Sequence, residues 1–172
     1  MKIVPYFSCA SHLLPAFNDA RRVVKAVVDE IMKSKLEFDV ITCRGVSGLL
    51  IAPTVAMVLN KPLVVIRSEI VSNIHYRKVE GYTGIRKYII VDDLVETGRT
   101  VDVIKKEVIA FSGNKKAKLV GIFCYNQSVC WCASDKLRGL ITDCNFAGIV
   151  DEKPPVKIAL IDEKSSCTLK PV

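Results

Sequence analysis

The chain has 172 residues, about one domain's worth, half of them apolar and a quarter charged, with nine glycines and seven prolines. This composition excludes disordered, collagen-like and low-complexity chains, and at this length a core buries roughly 70% of the extended chain's surface without disulfide staples. The net charge of +7 sits in the middle: residues 61–118 hold twelve basic and seven acidic side chains, against seven and five before and six and six after. Such an excess suggests an anionic partner there, with a merely solvated basic surface as the alternative.

In chain order, Asn18-Asp19 offer an N-cap for a helix over Ala20 to Lys33, where Val23, Val24, Val27, Val28 and Ile31 recur at helical spacing. Phe38 to Cys43 is a short β-branched run that stops at Arg44-Gly45, the pattern of a buried strand. Ser47 is read as the cap of a second helix through Asn60, and Lys61-Pro62 resets the chain before a strand Leu63 to Ile66. Residues 67–84 are polar and break the pattern. A structureless connection of that length reads as a functional lid. A strand Lys87 to Val91, a turn Asp92 to Gly98, a helix Arg99 to Phe111 closed by Gly113, and a strand Lys118 to Tyr125 follow. This alternation predicts one α/β domain over 1–172 with a parallel sheet flanked by helices. Apolar pieces at 137–150 and 156–161 around Pro154-Pro155 suggest a small hood from 126–172, with part of 1–17.

The longest uncharged apolar stretch, Leu49 to Leu59, is eleven residues and contains Pro53. A membrane span needs about 20, so no membrane partner is expected. The start, Met1 to Pro5, does not read as a secretory signal. Seven cysteines in irregular spacing argue for reduced thiols in the cytoplasm. Cys43 and Cys124 lie in apolar runs and read as core residues. Cys130-Trp131-Cys132 lacks the gap and second ligand pair of a zinc site. The basic residues are scattered with few aromatics between them, so nucleic acid is not the first reading.

The sharpest feature is Tyr88-Ile89-Ile90-Val91-Asp92-Asp93-Leu94-Val95-Glu96-Thr97-Gly98-Arg99-Thr100. An apolar strand ends in two carboxylates, then a turn of small and hydroxyl residues, then a helix. The carboxyl end of such a strand is where α/β proteins place ligands. The turn offers successive backbone N–H groups at a helix N-terminus, a nest for phosphate. Gly98 permits a close approach of backbone. Carboxylates beside a phosphate nest suit a sugar phosphate, whose hydroxyls donate to them.

This stretch resembles the motif with which type I phosphoribosyltransferases bind 5-phosphoribosyl 1-pyrophosphate (PRPP): apolar strand, acidic pair, three further residues, then Thr-Gly-x-Thr. Cys43-Arg44-Gly45-Val46-Ser47-Gly48 resembles the family's pyrophosphate loop, and the likeness covers roughly residues 38–125. The resemblance implies a Mg²⁺-dependent enzyme that transfers ribose 5-phosphate from PRPP to a nucleobase and releases pyrophosphate. It implies that Asp92 and Asp93 hold the ribose hydroxyls and position Mg²⁺ mostly through water. Glu96, Thr97, Gly98, Arg99 and Thr100 would enclose the 5′-phosphate. Arg44 and Gly45 would contact pyrophosphate, where the family often has a non-proline cis peptide. Arg67, Tyr76, Arg77 and Lys78 would act on the leaving group from the lid.

In relatives acting on 6-oxopurines, the position of Glu96 carries an aspartate that handles a proton of the base. The resemblance therefore points to a purine acceptor, a 6-oxopurine first, with Glu96 in acid–base work. Its longer side chain departs from the family's aspartate, and a helix N-terminal acid is the alternative reading. The lysine that reads the oxo group is replaced here by Cys124-Tyr125-Asn126-Gln127. Tyr125 is the base-binding candidate, with core packing as its alternative. The family is often dimeric, so a homodimer is the assembly implied. A second function class shares these residues: a PRPP-sensing regulator of the same fold that binds RNA, DNA or a protein.

Overall fold

The computed structural model describes residues 19–68, 77–95, 98–125 and 145–148. Helix α1 (Ala20–Ser34) opens on Asp19, whose carboxylate accepts the Arg22 N–H at 3.0 Å. Its Val23, Val24, Val27 and Ile31 are buried, as their spacing predicts. Strand β1 (Val40–Arg44) runs straight into helix α2 (Gly45–Val58). Gly45 makes that turn in one residue with a φ of +63°, a conformation that favours glycine. The helix therefore starts three residues earlier than expected. Arg44 stands at its cap position and provides no side-chain capping bond, so Ser47 lies inside the first turn and caps nothing.

Strands β2 (Leu63–Ile66), β3 (Val79–Gly81) and β4 (Lys87–Asp92) follow, then helix α3 (Arg99–Ser112), β5 (Lys118–Cys124) and β6 (Asn145–Gly148). The six strands form one sheet in the order β3-β2-β1-β4-β5-β6. All neighbours are parallel except β3, which runs antiparallel to β2 with Val79 opposite Ile66 and Gly81 opposite Val64. The span 67–84 is thus not wholly a loop. Three residues, with one buried side chain among them, are too short to give a strand pattern that sequence alone reveals. The described part of the expected hood, 145–148, is likewise a strand of the main sheet, parallel to β5. The rest of 126–172 and residues 1–18 lie outside the described residues.

Alternation along the strands separates two cores. Ile41, Cys43, Ile89, Val91 and Phe123 face α1 and α2, while Val40, Ile90, Ile122 and Cys124 face α3 with Val101, Ile104 and Val108. The chain leaves β1 on one face and β4 on the other, although these strands are neighbours. That divergence opens a crevice at their carboxyl ends, the topological switch point of a doubly wound sheet. No described helix is long and apolar enough to cross a membrane.

Helix α2 approaches the sheet closely through Gly48. A Cβ at that position would fall 2.6 Å from the Cys43 Cβ and 3.3 Å from the Val91 carbonyl oxygen. Gly48→Ala is therefore expected to destabilise, since overpacking costs about 1–3 kcal/mol against roughly 1 kcal/mol gained in helix propensity. Urea unfolding checks this: the midpoint should fall with the slope unchanged.

Candidate functional site

The crevice is a cleft of about 340 Å³ lined by the end of β1 and the first turn of α2 (Arg44 to Ser47), by Ser68, and by Asp92 to Val95 and Gly98 to Thr100. Its walls include two helix N-termini. Helix α1 is capped by a side chain, whereas neither α2 nor α3 is. The residues at their cap positions, Arg44 and Gly98, make no side-chain capping bond, and both starts carry the positive end of a helix dipole. Gly98, at the cap of α3, has a φ of +74° and its carbonyl accepts the Asp102 N–H at 2.9 Å. The Arg44 guanidinium reaches the Ser68 carbonyl at 3.4 Å through Nη2, and its Nε is buried without a partner among the described residues.

Between these helices lies the acidic pair. Asp92 and Asp93 are only 4% and 7% exposed, yet both line the cleft. Ser47 Oγ donates to Asp92 Oδ1 at 2.7 Å, and the Asp93 N–H donates to the same oxygen at 3.0 Å. Burial, above all, pushes the Asp92 carboxyl up to about 7. The Ser47 hydrogen bond opposes that shift, and the neighbouring Asp93 charge adds to it. Cys43 and Cys124 flank Asp92, and burial followed by the Asp92 charge raises both thiols, Cys43 to about 12. They remain protonated at neutral pH and read as packing residues, not nucleophiles.

No family model and no curated protein matches the sequence. Solved structures do. Orotate phosphoribosyltransferase from Francisella tularensis superimposes with a TM-score of 0.57 at 14% identity, over 75% of this chain and 64% of that one. Adenine phosphoribosyltransferase from Trypanosoma brucei gives 0.55 at 18% identity, over 97% of this chain and 80% of that one. The fold is that of the type I phosphoribosyltransferases. The Leishmania donovani UMP synthase structure matches with a TM-score of 0.58 at 24% identity over 80% of this chain, which spans 28% of its length.

Within this phosphoribosyltransferase fold, Arg44, Gly45, Asp92, Asp93, Gly98, Arg99 and Thr100 converge on one cleft, as the sequence suggested. Glu96, Thr97 and Tyr76 lie outside the described residues. The described lid cations do not converge. Arg67 pairs with Glu80 of β3 at 2.8 Å, Lys78 pairs with Glu107 of α3, and Arg77 is exposed. The reason is β3, which carries residues 79–81 back along β2 at the sheet edge. No cis peptide occurs among the described residues, so the one implied at the pyrophosphate loop is absent there. Tyr125 is 2% exposed, packs in the core beneath α2 and donates its hydroxyl to the Ser47 carbonyl at 2.7 Å. No ring face is left to stack on a base, so its core alternative holds.

Sequence reasoning missed Ser47 as a site residue because a serine near a helix start ordinarily reads as a cap. Its partner, Asp92, is 45 residues away, and only the pairing of β1 with β4 joins them.

A carboxyl whose folded pKa lies above its unfolded value of 3.8 adds stability in its protonated form. That contribution is complete below about pH 4 and is lost as pH rises through 7. Asp92→Asn, neutral throughout, is expected to be more stable than the parent at pH 8, on the order of 1–4 kcal/mol given about 1.4 kcal/mol per pKa unit. The difference should vanish near pH 4. Urea unfolding at both values measures it.

Proposed function

We propose that the chain is a phosphoribosyltransferase that moves ribose 5-phosphate from PRPP to a nucleobase and releases pyrophosphate. One observation carries this reading: two helix N-termini without side-chain caps, with a buried carboxylate pair between them, face a single cleft. PRPP presents phosphate at one end, pyrophosphate at the other and two ribose hydroxyls between. The N–H groups at Gly98 to Thr100 suit the 5′-phosphate, and those at Gly45 to Ser47, with Arg44, suit the pyrophosphate. The hydroxyls donate to Asp92 and Asp93. The structure of the Trypanosoma brucei adenine phosphoribosyltransferase, which holds AMP, pyrophosphate and ribose-5-phosphate, supports the same reading.

In the reaction, the bond from ribose C1 to the pyrophosphate oxygen breaks, a bond from C1 to a base nitrogen forms, and the proton of that nitrogen passes to a general base, the role proposed for Glu96. Positive charge grows on the ribose ring as the anion leaves. Asp92 and Asp93 lie beside that charge, and the α2 N-terminus with Arg44 stabilises the departing pyrophosphate. Closing the cleft would exclude water and so suppress hydrolysis.

Mg²⁺ fits the donor set. Adjacent carboxylates are hard oxygen ligands, and a cation would relieve both the burial that chiefly raises Asp92 and the smaller repulsion from Asp93. Among the described residues no group of three or more His, Cys, Asp or Glu side chains could hold a metal. Asp92 and Asp93 would therefore hold it together with water and substrate oxygens. When bound, Mg²⁺ supplies positive charge to the pyrophosphate.

Titration of PRPP with Mg²⁺ is expected to show binding. At a ligand concentration a hundredfold above Kd, the protein should gain about 2.7 kcal/mol of stability. Asp92→Asn with Asp93→Asn should weaken binding at least tenfold while the fold persists. A melting temperature unmoved by millimolar PRPP and Mg²⁺ contradicts the proposal. Binding without turnover on any base would favour the regulatory reading.

The acceptor we propose is a purine, with a 6-oxopurine first, on the carboxylate of Glu96. Glu96→Gln is expected to lower turnover by about 10²–10⁴ with PRPP affinity preserved. Assays of hypoxanthine, guanine, xanthine, adenine and orotate check this. Unchanged turnover reduces Glu96 to a helix N-terminal acid, and turnover on orotate alone removes the purine.

A further inference from the structure

Three segments distant in sequence meet behind the acidic pair in a closed ring of hydrogen bonds. The Tyr125 N–H donates to the Asp92 carbonyl at 3.1 Å, and the Tyr125 hydroxyl donates to the Ser47 carbonyl at 2.7 Å. The Ser47 hydroxyl closes the ring on Asp92 Oδ1 at 2.7 Å. Tyr125 is the first residue after β5, Ser47 lies in the first turn of α2, and Asp92 ends β4. The ring thus ties the carboxyl ends of two strands to the N-terminus of the helix that walls the cleft.

Each member is chemically committed. A tyrosine hydroxyl this deep requires a partner, and a carbonyl in the first turn of a helix already accepts from further along it, so the phenol adds a second bond there. The serine hydroxyl, released from capping duty by Gly45, is free to point across to the neighbouring strand. Asp92 receives two donors on Oδ1, which fixes the rotation of its carboxylate. Neither donor engages Oδ2.

We propose that Ser47 and Tyr125 are positioning residues that lock the pyrophosphate loop and the Asp92 carboxylate into one rigid unit. Neither side chain is assigned to contact the substrate. The ring makes the pyrophosphate half and the ribose half of the cleft keep a fixed separation before substrate arrives. PRPP bridges both halves, so its affinity depends on that separation more than that of pyrophosphate alone, which touches one. This inference rests on the proposed PRPP site, while the ring itself can be tested without any ligand.

The experiment compares Ser47→Ala, Ser47→Thr, Tyr125→Phe and Thr42→Val with the parent. Thr42 serves as the control: its buried hydroxyl donates to the Ile89 carbonyl at 2.8 Å, joining β1 to β4 away from the cleft. Ser47→Ala is expected to weaken PRPP with Mg²⁺ about tenfold or more, the scale of a lost hydrogen bond to a charged group, and Tyr125→Phe about three- to tenfold, the scale of a lost neutral one. Pyrophosphate affinity should change less than threefold. Ser47→Thr should keep parental affinity, and Thr42→Val should lose stability but not PRPP. Because the ring is one device, the Ser47→Ala, Tyr125→Phe double variant should lose less than the product of the single losses. Equal PRPP affinity in parent and both single variants overturns the proposal, as does an equal loss in Thr42→Val. A parent that fails to bind PRPP overturns the proposed function instead. The ring then stands on amide hydrogen exchange: the Asp93 and Tyr125 N–H groups should exchange at least tenfold faster in Ser47→Ala, and unchanged protection overturns it.

Discussion

Parallel pairing of β1 with β4 is the constraint on which the site depends. The register sets Thr42 against Ile90, so both strands end at the same edge of the sheet. One chain leaves toward α2 on one face, and the other leaves toward α3 on the opposite face. Two helices thereby begin beside one cleft, which Asp92 and Asp93 also line. A positive end of each helix dipole faces the gap. The anion-binding character proposed for the cleft is thus a consequence of topology before it is a consequence of any one side chain.

The acidic pair is costly in that position. Burial and like charge together raise Asp92, and two donors on Oδ1 only partly offset this. Proteins tolerate such groups chiefly where function uses them. Within the proposed function the cost falls when ribose hydroxyls and a cation meet the carboxylates. The hydrogen-bonded ring behind Asp92 ensures that the carboxylate does not simply rotate away.

Most of this was legible in the chain. The β-branched runs at 40–43 and 87–91, the valine stripe of α1 and the turn from Asp92 to Gly98 all carry strong local signals, because each element's periodicity matches its burial. The start of α3 at Gly98 was legible for the same reason, since a glycine after an acidic pair marks a turn into a helix. What escaped reading was long-range. The role of Ser47 depends on Asp92, 45 residues away, and that of Tyr125 on Ser47, 78 residues away. Strand β3 escaped because it is three residues long, and its pairing removes Arg67 and Lys78 from the cleft by giving them Glu80 and Glu107 as partners. A charged residue in a polar stretch looks like a lid residue until a neighbouring carboxylate is placed beside it. Residues 145–148 were assigned to a hood because apolar pieces near prolines do not announce which sheet they join.

The central claim is that one ligand spans the two helix N-termini. Amide chemical-shift mapping of the isotopically labelled protein, titrated with PRPP and Mg²⁺, tests it most directly. Gly45 to Ser47 and Gly98 to Thr100 are expected to shift together along one saturation curve, with Asp93 between them. The molecule also has a larger groove of about 630 Å³ at the opposite end of the sheet, lined in part by Lys35, Phe38, Lys61 and Arg86. Shifts confined to that groove, or to only one of the two helix starts, would contradict the account.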